Sequence, residues 1–349
     1  MAGKERIALA LIVVATAAAG AAHYASATPL LTFAIATLAL AGLAWIVSFA
    51  TEEVGGRLGP AATGVLQSTL GNLPEFFVVI FAIRAGELVV AQTSIIGSIF
   101  ANALLVLGLA IVAGARAAED GMMRFTRRLP NDTATLLLLA VFLIVLIGLS
   151  VGADDKASHH VTAISIIGAV CLLVVYGAWL YGYLRDPRPD VERAAVTRLS
   201  VPAAVALLAV GGAGSAFVSD WFVAALRPSI DRINLSDAFA GIVVVAIAGN
   251  AVENVTGIVL AAKGRSDLAI SVIKNSVAQV AVFLFPVLVL VSLLFAHHLT
   301  FDLKPVYIGA LGLTALSVWQ ITGDGEASLF EGVALVALYV ILASLTLFE

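Results

Sequence analysis

Two glutamates, Glu75 and Glu253, lie within long apolar stretches, and each follows an asparagine by three positions in a Gly-Asn-x-x-Glu segment. An ionised carboxylate near the centre of a bilayer costs about 3 kcal/mol or more, so such a residue is expected to be functional. Positions three apart share a helix face, so Asn72 should point with Glu75 and Asn250 with Glu253. Two carboxylates with amide and backbone oxygens form a hard, dianionic set that suits a divalent cation such as Ca²⁺.

Protons are the natural competitors for such a pair. Without a cation, two neighbouring carboxylates repel each other in a low dielectric, and both effects favour protonation. The pair therefore holds either one divalent cation or protons, which is an exchange mechanism provided that the empty dianionic state cannot reorient. Two packing glutamates satisfied by their neighbours are the alternative, but this leaves the repeated asparagine unexplained.

Neutral polar residues in two neighbouring apolar segments extend this candidate site. They could coordinate or orient a cation, or could instead form interhelical hydrogen bonds. Helix-weakening residues beside the carboxylates (Gly71, Pro74 and Gly249) would free backbone carbonyls for a cation. The neutral candidates are Gln92, Ser98, Asn102, Asn275, Ser276 and Gln279.

The composition places these residues in a membrane protein. The chain of 349 residues is 61% hydrophobic and 12% charged, with a mean hydropathy of +1.06, which leaves too little polar surface for a soluble globule. A net charge of −4 without a basic domain argues against nucleic-acid binding. The single cysteine, Cys171, allows neither an intramolecular disulfide nor a cysteine metal site. The lipid bilayer is the expected partner, and no cofactor is expected.

About 20 apolar residues cross a bilayer core of about 30 Å. This criterion predicts an all-α polytopic membrane protein with about eleven transmembrane helices. The first segment also resembles a signal peptide, because Lys4 and Arg6 precede a short apolar run that ends in AHYASA. The predicted spans cover residues 7–24, 29–51, 61–83, 88–114, 133–153, 161–183, 199–224, 238–262, 268–296, 305–322 and 328–348.

The distribution of basic residues predicts the orientation of these spans. With eleven spans and a cytoplasmic N-terminus, 13 of the 19 lysines and arginines lie in cytoplasmic segments, as the positive-inside rule requires. The polar connection 185–198 then becomes a cytoplasmic linker. The chain is expected to be an integral, multi-pass protein of a plasma (inner) membrane, and a homo-oligomer is compatible with the sequence.

An offset of 178 residues aligns the two motifs. It places Gly71-Asn72 on Gly249-Asn250, Glu75 on Glu253, Gly86 on Gly264 and Ser98 on Ser276. Five predicted crossings separate the copies, so they should be antiparallel, as in many secondary transporters with a site where the repeats meet. The predicted divisions are an N-terminal helix (1–28), a first five-helix repeat (29–184, with its motif region at 59–110), the linker (185–198) and a second repeat (199–349, with its motif region at 238–286).

Three blocks of the sequence resemble the calcium/proton exchanger (CAX) family of the calcium:cation antiporters. They are ATEEVGGRLG through QTSIIGSIFANALLVLG, GIVVVAIAGNAVENV through KNSVAQVAVFLFP, and ITGDGEASLFEGVALVALYVI. The resemblance implies an antiporter that exchanges Ca²⁺ for H⁺ at Glu75 and Glu253 by alternating access. It also suggests accessory acidic residues at the pathway mouths, Glu52 and Asp220, although both could be ordinary interfacial charges.

Two residues depart from the family's second motif region. Asn254 stands where the family commonly has histidine, and Lys274 precedes Asn275-Ser276 where an apolar residue and Gly-Ser are usual. An ammonium at Lys274 could replace one positive charge, changing stoichiometry or favouring a monovalent ion. The favoured interpretation is that Lys274 snorkels to the cytoplasmic surface.

Other functions remain as alternatives at this point. A Na⁺ or K⁺/proton exchanger would use the same fold, and a channel is harder to exclude by composition. An intramembrane hydrolase with two catalytic glutamates is disfavoured, because the sequence has neither an HExxH motif nor a nucleophile with a nearby base. Two histidine pairs, His159-His160 and His297-His298, are expected to lie on the surface.

Overall fold

The computed structural model describes residues 3–55, 70–126, 128–185 and 198–349, and these are almost entirely helical. The α-helices are α1 (Gly3–Tyr24), α2 (Pro29–Gly55), α3 (Leu73–Ala85), α4 (Leu88–Phe100), α5 (Leu107–Ala117), α6 (Arg128–Gly152), α7 (Val161–Arg185), α8 (Val201–Ile233), α9 (Asp237–Phe239), α10 (Ala246–Gly249), α11 (Ala251–Ala262), α12 (Ser266–Gln279), α13 (Phe285–Ser292), α14 (Pro305–Thr322) and α15 (Leu329–Leu347). A 3₁₀ turn covers Lys156–His160, and three π-helical segments cover Ala101–Val106, Ala240–Val245 and Val280–Leu284.

The prediction of many apolar membrane helices is confirmed. The described part of the chain contains nine helices long and apolar enough to cross a bilayer, and a tenth if the bent pair 237–249 and 253–262 forms one span. These ten match ten of the eleven predicted spans. The remaining span, 61–83, lies partly outside the described residues, and only its second half is seen as α3. The chain is therefore an integral, multi-pass membrane protein.

The chain divides into two compact units, and each takes segments from both predicted repeats. Unit 1 consists of Met1–Ala85, Gly177–Leu235 and Ala248–Val252. Unit 2 consists of Gly86–Tyr176, Ser236–Ile247 and Glu253–Glu349. The sequence-based division into an N-terminal helix, two repeats and a linker is a different partition of the same chain, and it stays a prediction.

Unit 1 is held together by close packing of α1, α2 and α8. The rings of Phe33 on α2 and Phe222 on α8 stack with centroids 4.9 Å apart. A Cβ at Gly211 of α8 would lie 2.9 Å from Ile46 of α2, so the absence of a side chain lets the two helices approach.

Unit 2 contains an even closer helix crossing. A Cβ at Gly97 of α4 would lie 2.5 Å from the Cα of Ile242, in the second π-helical segment. A Cβ at Gly241 would lie 2.0 Å from Oγ1 of Thr93, on the same helix as Gly97. Only glycine fits at these two positions, because backbone atoms stand in the way at both: the Cα of Ile242 at Gly97, and the backbone nitrogen of Ser94, 2.9 Å away, at Gly241.

A short antiparallel strand pair departs from the all-α prediction. Strands β1 (Met122–Arg124) and β2 (Glu326–Ser328) pair with Met123 opposite Ala327. The backbone N–H of Thr126 donates to Oδ1 of Asp267 at 2.6 Å. Three connections predicted to face the cytoplasm thus contact one another. Sequence periodicity could not reveal strands of three residues, because their pairing joins segments about 200 positions apart.

The internal repeat is visible in the backbone of the two motif regions. Helices α3 and α11 both begin directly after the Gly-Asn pair, at residues 73 and 251. At the next turn, Gly86 and Gly264 both have positive φ, +82° and +72°, a left-handed conformation that glycine adopts without strain. The first and third π-helical segments also correspond at the offset of 178 residues, apart from one residue at the start.

Candidate functional site

Glu75 lies in unit 1, in the first turn of α3, and only 2% of it is exposed. The Gly71-Asn72 turn precedes the helix, and the carbonyl of Asn72 accepts the N–H of Phe76 at 2.9 Å. Pro74 fits the first turn because its missing N–H would have no partner within the helix there. The partial positive charge of a helix N-terminus stabilises a carboxylate, so this local fold offsets part of the cost of burying Glu75.

Gly249, the glycine of the second motif, lies beside Glu75 within unit 1. A Cβ at Gly249 would be 3.7 Å from the Cβ of Glu75, an ordinary van der Waals distance, so the backbone of the second motif lies close to Glu75. Asn250 follows directly and is buried. The hydroxyl of Ser219 on α8 points to the carbonyl of Pro74, with a long O···O distance of 3.5 Å. Unit 1 therefore contains the first carboxylate together with the Gly-Asn pair of the second copy.

Glu253 lies in the first turn of α11, in the second unit. Ser276 on α12 donates its hydroxyl to Oε2 of Glu253 at 2.5 Å. The side-chain amide of Asn102, in the first π-helical segment, donates to Oγ of Ser276 at 3.2 Å. Three residues selected from the sequence thus form one hydrogen-bonded chain that ends on the carboxylate.

The other neutral candidates have different surroundings. The amide of Gln92 donates to the carbonyls of Thr300 and Asp302, at 3.4 and 3.0 Å, so its nitrogen anchors the connection before α14. The amide nitrogen of Asn275 lies 3.5 Å from Oγ of Ser271, one turn away on α12. Ser98 and Gln279 are buried in unit 2. A ligand role for each of these residues stays a prediction.

Both accessory acidic residues are exposed, and in each case the adjacent residue makes the buried contact. Glu52 is exposed, whereas Glu53 is buried and its Oε2 accepts the N–H groups of Arg198 and Leu199 at 2.6 and 2.8 Å. Asp220 is likewise exposed, whereas Ser219 is fully buried against α3. The sequence analysis missed Glu53 and Ser219. The doubled acid Glu52-Glu53 is a signal for the first, since adjacent helix positions point about 100° apart and so differ in their surroundings.

The snorkelling interpretation of Lys274 is wrong. Lys274 is 1% exposed, and its ammonium donates to Oγ1 of Thr322 at the end of α14. The Thr322 hydroxyl in turn donates to the carbonyl of Val318 at 2.6 Å. The side chain therefore reaches a neighbouring helix instead of the membrane surface, because Thr322 offers an acceptor within the protein.

The histidine pairs lie exposed, as expected. Among the residues that the structure describes, no group of three or more His, Cys, Asp or Glu side chains is arranged to hold a metal ion. Two acidic residues at the connection between α14 and α15 take part in local structure. Glu331 and Ser328 form a capping box at the start of α15, and Glu326 belongs to β2.

The sequence is similar to named ion transporters along most of its length. It is 30% identical to a Ca²⁺/H⁺ antiporter of Synechocystis sp., covering 98% of this chain and 97% of the relative. It is 31% identical to a vacuolar calcium ion transporter of Schizosaccharomyces pombe (88% and 77% covered) and 28% identical to the Ca²⁺/H⁺ antiporter ChaA of Bacillus subtilis (89% and 90%). These relatives are named as transporters or antiporters, not as enzymes.

Solved structures are also similar to this chain along nearly its whole length. The structure of native YfkE superposes with a TM-score of 0.82 at 26% identity, covering 98% of this chain and all of the other. The H⁺/Ca²⁺ exchanger CAX shares the fold, with a TM-score of 0.78 at 17% identity and coverage of 99% and 93%. The family model described as sodium/calcium exchanger protein matches residues 28–184 and 203–348. With its two motif regions inside these matches, the chain belongs to the sodium/calcium exchanger protein family.

Proposed function

We propose that this protein exchanges Ca²⁺ for H⁺ across the membrane by alternating access, with Glu75 and Glu253 binding either the cation or protons. The position of Gly249, the glycine of the second motif, beside Glu75 within unit 1 carries the proposal, since a Cβ at Gly249 would lie 3.7 Å from the Cβ of Glu75. Ca²⁺/H⁺ antiport is also the activity in the names of two of the relatives.

The surroundings of Glu253 suit both states of such a cycle. A hydroxyl has one donor and two acceptor positions. Ser276 accepts from Asn102 and donates to Oε2 of Glu253, and this oxygen can accept the hydroxyl hydrogen both in the carboxylate and as the carbonyl oxygen of the neutral carboxyl. The same contact therefore orients the carboxylate for a cation and the carboxylic acid after protonation.

The location of each carboxylate in the first turn of a helix supports the same role. Glu75 and Glu253 each lie in the first turn of a helix that begins directly after a Gly-Asn pair. The helix N-terminus stabilises the ionised form without supplying a full positive charge. A full ion pair would compete with Ca²⁺, whereas a partial charge leaves the carboxylate available for binding.

We also propose that the N-terminus faces the cytoplasm of a plasma (inner) membrane. The excess of basic residues in alternate connections supports this orientation. The contacts among the connections around β1, β2 and Asp267 agree with one common side. Labelling of single cysteines at Lys4 and Lys304 in a C171S background, with a membrane-impermeant reagent, should modify only the second from outside the cell.

The proposed function is tested in everted vesicles with an imposed pH gradient. Glu75→Gln and Glu253→Gln should each abolish Ca²⁺-dependent dissipation of the gradient. Glu326→Gln on β2 serves as the matched control, because it removes a carboxylate outside the candidate site. Full activity in either motif variant would refute the assignment of the two glutamates.

A further inference from the structure

A cavity of about 510 Å³ lies in unit 2 between α6 and α14, and a volume of this size is typical of small-molecule sites. Its lining combines apolar and polar side chains. The lining residues are Ala134, Thr135 and Leu138 of α6, Trp319 and Gln320 of α14, and Gly323 and Asp324 directly after α14. None of them belongs to the candidate cation site, so ion exchange does not account for the cavity.

The packing of α6 against α14 shows why space remains at this end of the helix pair. At the other end the helices are in close contact, because a Cβ at Gly148 of α6 would overlap Cδ1 of Ile308 on α14. At 1.5 Å per residue, Ala134 lies roughly 20 Å along α6 from that contact. There Ala134 and Gly323 contribute little side-chain volume, so the gap between the two helices stays open.

The cavity lies at the ends of two candidate membrane spans. Residues Asp132–Gly152 and Pro305–Thr322 are each long and apolar enough to cross a bilayer. The cavity is lined by the first two turns of the one and the last turn of the other. Leu138 is 38% exposed and Trp319 is 54% exposed, and tryptophan is enriched where the hydrocarbon meets the lipid headgroups. The exposed lining residues therefore face lipid at headgroup level.

The charge of the lining favours a cationic group. Asp324 is the only charged residue among the described residues that line the cavity. Its Oδ1 accepts the backbone N–H of Glu326 at 3.2 Å, and a carboxylate has further acceptor positions. The C-terminus of α14 adds a partial negative charge, with carbonyls that have no donor within the helix. The indole ring of Trp319 attracts a cation to its face.

We infer that this cavity binds a phospholipid with a primary-amine headgroup, of the phosphatidylethanolamine type. The ammonium lies by Asp324 and the ring of Trp319, the side-chain amide of Gln320 donates to the phosphate, and an acyl chain lies on Leu138. A primary ammonium donates hydrogen bonds to the carboxylate and the helix carbonyls, which the quaternary ammonium of a choline headgroup cannot do. An anionic lipid would bring its net negative charge to Asp324.

The test measures lipid binding to the purified protein in detergent by native mass spectrometry. The protein is titrated with phosphatidylethanolamine, phosphatidylcholine and phosphatidylglycerol that carry identical acyl chains. We expect the amine lipid to bind about fivefold more tightly than either of the others, the effect of one partly exposed ion pair. Asp324→Asn should remove this preference, while its side-chain oxygen can still accept the N–H of Glu326.

Two further variants separate the site from general effects on folding. Asp324→Lys should reverse the preference, so that phosphatidylglycerol binds most tightly, and a misfolded protein would not gain a new preference. Asp154→Asn is the matched control, since Asp154 is exposed just after the other end of α6 and has a positive φ, +51°, that asparagine also adopts. It should leave binding unchanged. Equal affinity for the three lipids, or an undiminished preference in Asp324→Asn, would overturn the inference.

Discussion

The two motif copies share a backbone but differ in chemistry. Each has a Gly-Asn pair, a helix with a glutamate in its first turn, a glycine with positive φ and a second helix that continues into a π-helical segment. The second helices differ in their side chains: Ile96-Gly97 in the first copy corresponds to Lys274-Asn275 in the second. The backbone that presents a carboxylate has been kept in both copies, whereas the surrounding side chains have specialised.

The largest effect is expected from exchanging side chains at the matched positions 97 and 275. Gly97→Asn would place a Cβ 2.5 Å from the backbone of Ile242, so we expect it to cost about 3 kcal/mol or more and to prevent recovery of folded protein. Asn275→Gly creates no such clash and should yield a monodisperse protein. Size-exclusion profiles of both variants in detergent make the comparison, and equal behaviour would show that the close crossing is not required.

Ser276 should matter next most, through its hydrogen bond to Glu253. A hydrogen bond to a charged group contributes about 1.5–3 kcal/mol, so Ser276→Ala should raise the KM for Ca²⁺ by about tenfold or more. Ser271→Ala, on the same helix and with its Oγ 3.5 Å from the amide nitrogen of Asn275, is the control. A normal KM in Ser276→Ala would mean that Glu253 needs no orienting hydroxyl.

Replacing Lys274 with an apolar residue, like its counterpart Ile96, should raise the stability of the protein. Removing Thr322, the acceptor of the Lys274 ammonium, should lower it. Lys274→Met keeps the side-chain length and removes the cost of burying an ammonium, so it should stabilise the protein by about 1 kcal/mol or more. Thr322→Val leaves the ammonium without this acceptor and should destabilise by about 1–3 kcal/mol. Thermal unfolding in detergent measures both, and unchanged stability in both variants would contradict the buried position of Lys274.

The smallest effect is expected at the strand pair, outside both motif copies. The hydrogen bond from Arg124 is the main reason that the pKa of Asp120 lies below its ordinary value of 3.8. Asp120 therefore favours the folded loop above about pH 4, and this contribution is lost as the pH falls through the lowered pKa. Because the pair is exposed, Asp120→Asn should slightly speed amide exchange of Met122 at neutral pH. Loss of Ca²⁺/H⁺ exchange in this variant would contradict a purely local role.

Much of the fold could be predicted, because long apolar segments in a bilayer must be helical to satisfy their backbone groups. The repeat could also be predicted, since polar residues in such segments are rare enough for their spacing to be informative. The sequence could not predict which side of each helix is buried in the protein. Segments that are apolar on all sides carry no polar stripe that marks the buried face. The sequence therefore does not show that Glu53 and Ser219 are buried while Glu52 and Asp220, which the family resemblance suggests, are exposed.

The sequence by itself determined that the chain crosses a membrane, that two Gly-Asn-x-x-Glu motifs repeat, and that a glycine recurs at the same distance after each of them. These properties depend on composition and local backbone preference. Only the tertiary structure decided that Gly249 lies against Glu75, that Ser276 and Asn102 orient Glu253, and that Lys274 turns inward to Thr322. Each of those contacts joins residues distant in sequence, and helix packing alone brings them together.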